Sequence, residues 1–252
     1  MDRLDAAQIS LPGVEIQVVE RCPSTNTALL KRNSDGPTLL AAEEQTAGRG
    51  RRGRRWHSPA GAGVTFSLAA RVRRPLREMP ALSLVAGVAA SRALRSLGVA
   101  GAALKWPNDL VVDGAKLGGI LVETRANGAG CHAVIGIGIN CHRVPQLEAK
   151  VGRELAFVDD HARVSRNGVI QEVAGALLHG LREFESRGLD AVRADWEAMH
   201  AHAGQRLRVR LADGRVITGI ASGLGENGSL QIKTRQGLRA VTSGRVVSAR
   251  AA

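Results

Sequence analysis

Between residues 204 and 252 lie five short runs, 207–211, 216–221, 229–232, 238–242 and 246–249, punctuated by Asp213-Gly214, Asn227-Gly228, Gln236-Gly237 and Ser243-Gly244. Alternating apolar residues turn one face of a strand toward a core, and pairs ending in glycine suit tight turns. Five strands packed into so short a stretch predict a small β-barrel, since closure removes exposed edges. A boundary is therefore expected near residue 203, dividing the chain into units 1–203 and 204–252.

The larger unit mixes both periodicities. Strands are expected at 14–20, 38–42 and 64–72, with a helix over 27–32 that starts at the capping residues Ser24-Thr25-Asn26. The clearest helix is 80–97: Leu82, Val85, Ala89 and Leu97 share one face and Gly98 ends it. Its Ala and Gly content allows close approach to a sheet. Four β-rich runs follow, 103–106, 110–112, 118–124 and 131–136, broken by Pro107-Asn108, Asp113-Gly114 and Asn127-Gly128. Residues 142–167 are polar and irregular, and helices are expected at 168–187 and 189–202. The class is α+β: a mixed sheet with flanking helices, plus the small barrel.

The formal net charge is +12, which favours anionic partners such as nucleotides, nucleic acid or an acidic protein. Aromatic residues are few, so a single-strand nucleic-acid platform lacks stacking surface. No run approaches a membrane span; the longest candidate is cut by Arg92 and Arg95. Met1-Asp2-Arg3 is followed by no apolar segment. Cys22, Cys131 and Cys141 share no metal-ligand spacing. A reduced, cytoplasmic protein is expected.

Three glycine-containing segments carry candidate chemistry. Gly48-Arg49-Gly50-Arg51-Arg52-Gly53 satisfies GxGxxG, but Arg54-Arg55-Trp56-His57-Ser58-Pro59 follows instead of a helix. A dinucleotide fold is excluded, and the other elements of a kinase are absent. What remains is bare backbone beside crowded guanidinium groups, suited to a polyanion such as a triphosphate. Trp56 offers a flat face for a base; a solvated basic loop with Trp56 in the core is the alternative. In the second segment, Lys105-Trp106-Pro107-Asn108-Asp109 precedes Lys116-Leu117-Gly118-Gly119. Its lysines are either snorkelling surface groups or anchored charges, and Asp109 could hold a metal ion or fix a lysine. The third segment, Gly136-Ile137-Gly138-Ile139-Asn140, ends an apolar strand. His200 and His202 lack further ligands at metal-site spacing and are expected to be surface or capping groups.

Together, Ser24-Thr25-Asn26, QTAGRGRRGRRW at 45–56, KWPNDL at 105–110, KLGGILVE at 116–123 and GIGIN at 136–140 resemble the biotin protein ligases in both order and spacing. The resemblance covers about residues 10–200 and extends less specifically to the barrel. It implies a class II synthetase-like catalytic domain with an SH3-like C-terminal domain. The implied reaction joins biotin and ATP into biotinyl-5′-AMP with release of pyrophosphate. A lysine of a biotin carboxyl carrier protein domain then attacks the mixed anhydride.

Carried over by position, the resemblance places Ser24, Thr25, Asn26, Gln45, Arg49, Gly50, Arg51, Lys116, Gly119 and Gly136 against biotin. Arg51, Arg54, Trp56, Lys105, Asn108 and Asn140 fall to ATP, with Trp56 stacking on adenine and Asn140 reading its edge. Lys116, bridging carboxylate and α-phosphate, and Arg51 are the expected catalytic charges. Asp109 is the expected partner of a Mg²⁺ ion carried by the phosphates. Pro23 stands where many members have Asp. About twenty residues precede Ser24, too few for a helix-turn-helix domain, so the ligase-only type is expected, without specific DNA binding. A homodimer is compatible with the resemblance. Two other readings stand beside it, a lipoate-type acyl ligase and a basic nucleic-acid-binding module.

Overall fold

A computed structural model describes residues 2–32, 36–127 and 130–251. Its larger sheet contains β1 (Glu15–Cys22), β2 (Thr38–Gln45), β3 (Gly63–Val72), β4 (Ala103–Lys105), β5 (Asp109–Val112), β6 (Ala115–Asn127) and β7 (Gly130–Asn140). The spatial order is β1-β2-β3-β7-β6-β5-β4. Only β1 and β2 run parallel, joined by the crossover helix α1 (Thr25–Leu30); every other neighbouring pair is antiparallel. The mixed sheet expected from the alternating runs is therefore present.

Side-chain alternation gives this sheet two different faces. One carries Phe66, Leu68, Ile120, Ile135, Ile137 and Ile139, which join the main core beneath α2 (Leu82–Ser96) and α4 (Arg166–Arg187). Small residues bring these layers close: a Cβ on Gly87 would lie 3.3 Å from Leu104, and one on Gly180 would lie 3.3 Å from Val85. The other face buries only a small cluster, Leu29, Leu40, Ala69 and Val134, under α1. Beyond it, the same face carries Thr65, Ser67, Gly136 and Gly138; the start of α1 meets Ser67 and Gly136 through Thr25 and Asn26.

Capping follows local chemistry. Ser24 Oγ accepts from Thr27 N at 3.4 Å, and Ser165 Oγ accepts from Gly168 N at 3.0 Å, opening α1 and α4. The Asp113-Gly114 turn has φ of 49° and 84°, the two positive values of a tight hairpin that glycine tolerates at its second position. Gly128 of the expected Asn127-Gly128 turn lies outside the described residues.

Three elements differ from expectation. Strand β7 runs on to Asn140, because Gly136 and Gly138 interrupt the apolar pattern without interrupting the ladder. The segment expected to be irregular contains α3 (Pro145–Val151), closed by Gly152 at φ 66°. The final expected helix is split into a 3₁₀ turn, Gly188–Ala191, and α5 (Arg193–Met199). It stops there because the next residues pair with the edge strand: Ala201 N donates to Leu104 O at 2.9 Å.

After α5, β8 (Arg206–Arg210), β9 (Val216–Leu224), β10 (Leu230–Thr234), β11 (Gly237–Val241) and β12 (Arg245–Arg250) form a separate antiparallel sheet in the order β11-β10-β9-β8-β12. Leu207, Val209, Leu230, Ile232 and Val246 fill its inner face and join the main core. Polar contacts fasten it to the larger unit. Trp106 Nε1 donates to Gly228 O at 3.2 Å, and Arg193 Nη1 donates to Leu224 O at 2.7 Å.

Candidate active site

Register, more than sequence proximity, assembles the site. Thr65 on β3 lies opposite Gly138 on β7, Gly138 opposite Gly119 on β6, Gly119 opposite Asp109 on β5, and Asp109 opposite Lys105 on β4. The next row places Ser67 opposite Gly136 and Gly136 opposite Leu121. These rows floor an open cleft. It is lined by Ser24, Thr25, Asn26, Gln45, Arg49, Gly50, Arg51, Arg54, Trp56, Asn108, Asp109, Lys116, Gly119 and Gly136 among the expected residues. Lys105 and Asn140 stand outside it, each in a neighbouring cleft that shares Arg54 and Arg153 with the first.

In the Gly-Ile-Gly-Ile run the isoleucines enter the core and the glycines leave the opposite face bare. A Cβ on Gly136 would come under 3.0 Å from Asn26 Oδ1, and one on Gly138 would come equally close to the Trp56 indole. Both glycines are therefore required by close approach. They seat the two ends of the cleft, Asn26 at one and Trp56 at the other.

At the first end the polar side chains are satisfied by one another. Gln45 Oε1 accepts from Thr25 N at 2.8 Å, Thr25 Oγ1 and Ser67 Oγ are 2.7 Å apart, and Ser67 Oγ donates to Asn26 Oδ1 at 2.6 Å. Asn26 Nδ2 donates to Leu121 O at 3.1 Å and to Glu123 Oε2 at 2.9 Å. This network fixes a rigid polar wall. At the other end, Trp56 Nε1 is buried and has no hydrogen-bond partner among the described residues. Asn140 Nδ2 is engaged by the main chain, donating to Lys116 O at 3.1 Å and Ala156 O at 3.3 Å.

Lys116 sits between these ends. Its Nζ pairs with Asp109 Oδ1 and lies 5.8 Å from the centre of the Trp56 ring. Burial, followed by the charges of Arg153 and Arg54, pushes the Lys116 ammonium below the usual lysine range, and Asp109 opposes that shift. Burial likewise lowers Arg51, with repulsion from Arg52 and Arg54 adding to it. Lys105 and Arg153 are also lowered by burial, each partly restored by Asp109. One carboxylate thus serves several desolvated cations. Such a cluster gains free energy when a polyanion enters.

The model of the biotin/lipoate A/B protein ligase family matches residues 18–140, and that of the biotin protein ligase C terminal domain matches 202–247. The biotin–[acetyl-CoA-carboxylase] ligase of Mycobacterium tuberculosis is 33% identical over 250 residues, covering 94% of this chain and 90% of that protein. The chain belongs to the biotin protein ligase family. The bifunctional ligase/repressor BirA of Escherichia coli is 34% identical over 237 residues, 91% of this chain and 73% of that one. Among solved structures, the Aquifex aeolicus biotin protein ligase in complex with biotin and ATP superposes with a TM-score of 0.73 at 27% identity, covering 94% of this chain and 99% of that one.

Within this biotin ligase fold, sequence reasoning missed Thr65, Ser67, Glu123 and Arg153. Thr65 and Ser67 carried a signal, two polar residues on one face of an otherwise apolar strand, and Ser67 is fully buried. Glu123 closed a quoted motif but received no role. Arg153 carried no signal, because it reaches the cleft from the turn after α3.

Proposed function

We propose that the chain activates biotin with ATP, forming biotinyl-5′-AMP and pyrophosphate, and then passes biotin to a lysine of a carrier domain. The observation that carries this reading is the buried Lys116–Asp109 pair, placed between a polar wall and an aromatic end. Two anions must meet for the first step, so catalysis is mainly neutralisation and positioning. The biotin carboxylate oxygen attacks the α-phosphorus, and the bond to the bridging oxygen of pyrophosphate breaks. Lys116 holds the carboxylate against the α-phosphate, while Asp109 fixes the direction of its ammonium. Arg51 and Arg54 offset charge on the phosphates, and Arg153 joins them. The Asn26–Ser67–Thr25–Gln45 wall orients the ring system, and Trp56 stacks on adenine. In the second step the acceptor amine attacks the acyl carbon, AMP leaves, and the amine loses its proton.

A Mg²⁺ ion would supply further charge neutralisation on the phosphates. Among the described residues no group of three or more His, Cys, Asp or Glu forms a metal cage. Asp109, already surrounded by cations, suits an ion that arrives with the nucleotide and keeps most of its waters. We further assign residues 1–203 to catalysis and 204–252 to a closing unit. The free thiols Cys22, Cys131 and Cys141 suit the reducing cytoplasm.

The test is incubation with radiolabelled biotin, MgATP and a purified carrier domain. Label is expected on one carrier lysine, with release of pyrophosphate. Pyrophosphate release with lipoate and not with biotin would overturn the assignment of substrate.

A further inference from the structure

Arginine is concentrated in two places. One is the ring 49–55 beside the cleft, closed by the backbone bridge between Arg49 and Arg55. Most of its guanidinium groups have partners: Arg49 pairs with Glu123, Arg51 donates to Asn108 Oδ1, Arg52 to Ser243 Oγ and Arg55 to Thr46 O. The other is the outward face of the small sheet, and there the partners are missing. Alternation sends Leu207 and Val209 of β8 into the core and leaves Arg206, Arg208 and Arg210 exposed. Antiparallel β12 lies beside it, and the register sets Arg245 opposite Arg210, Ser248 opposite Arg208 and Arg250 opposite Arg206. Across β9 the face continues, with Ile220 opposite Arg206 and Lys233 of β10 opposite Ile220. Among the described residues, the side chains of these arginines and of Lys233 make no hydrogen bond or ion pair. The acids of residues 204–252 are Asp213 and Glu226, both in turns, and Asp213 is taken by Arg215. Like charges directly opposite each other on neighbouring strands destabilise a sheet. This sheet carries two such pairs, Arg210–Arg245 and Arg206–Arg250, with no acid to offset them.

We propose that the β8–β12 face is a docking surface for the phosphate backbone of double-stranded DNA, held without reading its sequence. Residues two apart on a strand are separated by about 6.7 Å, close to the spacing of successive phosphates along a nucleic-acid strand. The rows Arg210–Arg245, Arg208–Ser248 and Arg206–Arg250 therefore meet a periodic polyanion in step, and the guanidinium fork suits phosphate oxygens. Ser248 and Thr218, on either side of Arg208, add hydroxyl donors to the middle row. An acidic protein partner would need an aromatic or apolar anchor at the centre of the contact, and residues 204–252 contain no aromatic residue. The same lack removes the stacking platform that a single strand requires. The β8–β12 pair ends the sheet order. The major groove of B-form DNA is wide enough to take a two-stranded ribbon, whereas that of duplex RNA is deep and narrow.

This surface is independent of the proposed reaction, because Arg206, Arg208 and Arg250 line neither the cleft nor its two neighbours. The test is fluorescence anisotropy of a labelled, mixed-sequence DNA duplex titrated with the full chain. The strip variant carries Arg206→Gln, Arg208→Gln and Arg250→Gln; all three side chains are exposed and unpaired, so its melting curve should match the parent's. A control variant, Arg77→Gln with Arg163→Gln and Arg182→Gln, removes the same charge from exposed positions elsewhere. At about 50 mM salt the parent should bind duplexes of unrelated sequence equally, and binding should weaken steeply as salt rises. The strip variant should bind roughly tenfold more weakly or worse, with a log–log salt slope shallower by about two to three, one for each lost phosphate contact. Arg208→Gln alone should make that slope shallower by about one, and the control variant should leave it nearly unchanged. An equal loss in both triple variants would show that net charge, and not this face, carries the binding, and would overturn the proposal. So would no binding by the parent at low salt, tighter binding of a single strand or of duplex RNA, or displacement of the DNA by poly-glutamate at equal charge concentration.

Discussion

At the scale of single residues, the contrast between Lys116 and the two seating glycines gives separable expectations. Lys116→Ala removes the charge that, in the proposed reaction, lies between carboxylate and phosphate, so pyrophosphate release should fall by roughly 10²–10³. The fold should survive, which a melting curve within a few degrees of the parent would show. Gly138→Ala drives a methyl group into the Trp56 indole. Loss of a base–aromatic stack costs about 1–3 kcal/mol, so KM for ATP should rise roughly tenfold or more while KM for biotin changes little. Gly136→Ala pushes against Asn26 and should produce the opposite split. Most of this site was legible before any coordinates, because the chemistry sits in contiguous runs: the arginine ring, the lysine pair and the glycine pair. Asn26 lines the cleft as expected. Its amide also has partners within the protein, donating to Leu121 and Glu123 and accepting from Ser67. Arg153 and Ser67 stayed invisible because only register and the turn after α3 bring them to the cleft.

At the scale of elements, caps and alternation decided what could be foreseen. Ser165 closes the start of α4 through Gly168 N, and α4 packs on both α2 and the sheet. Ser165→Ala should lower stability by about 1 kcal/mol, visible as a reduced denaturant midpoint with an unchanged slope. Long apolar periodicities such as α2 and β3 were readable because each buries one face. β7 was read short because glycine normally weakens a strand. Here it leaves the space that Asn26 and Trp56 occupy, so the shortfall falls on the floor of the cleft. α3 was missed because seven residues are too few to show a helical period, although Pro145 at its start and Gly152 at its end are ordinary boundary residues.

At the scale of the whole molecule, the connection between the two sheets is where acidity should act. His200, expected as a surface or capping group, is the C-cap of α5 and is buried: it is 6% exposed, stacks on Trp196 with ring centres 4.4 Å apart, and its Nε2 has no partner among the described residues. Burial, with His202 beside it, pushes His200 down to about 4. His202 is likewise lowered to about 4, first by burial and then by Lys105. Unfolded imidazoles take up protons near pH 6.5, whereas these native ones stay neutral, so stability falls as pH drops from about 7 toward 4 and levels off below. The loss for His200 is of the order of 3 kcal/mol at most. Chemical denaturation at a series of pH values should show this slope, and His200→Phe should flatten it. The same junction explains why the small sheet is more than an appendage. Every motif that marks the family's chemistry precedes residue 203, yet Trp106, Arg193 and the arginine ring all lean on backbone or hydroxyl groups beyond it. A chain severed at that point would keep all its reagents and lose the vessel: bared indole would invite aggregation, and the guanidinium ring would hang without its far support.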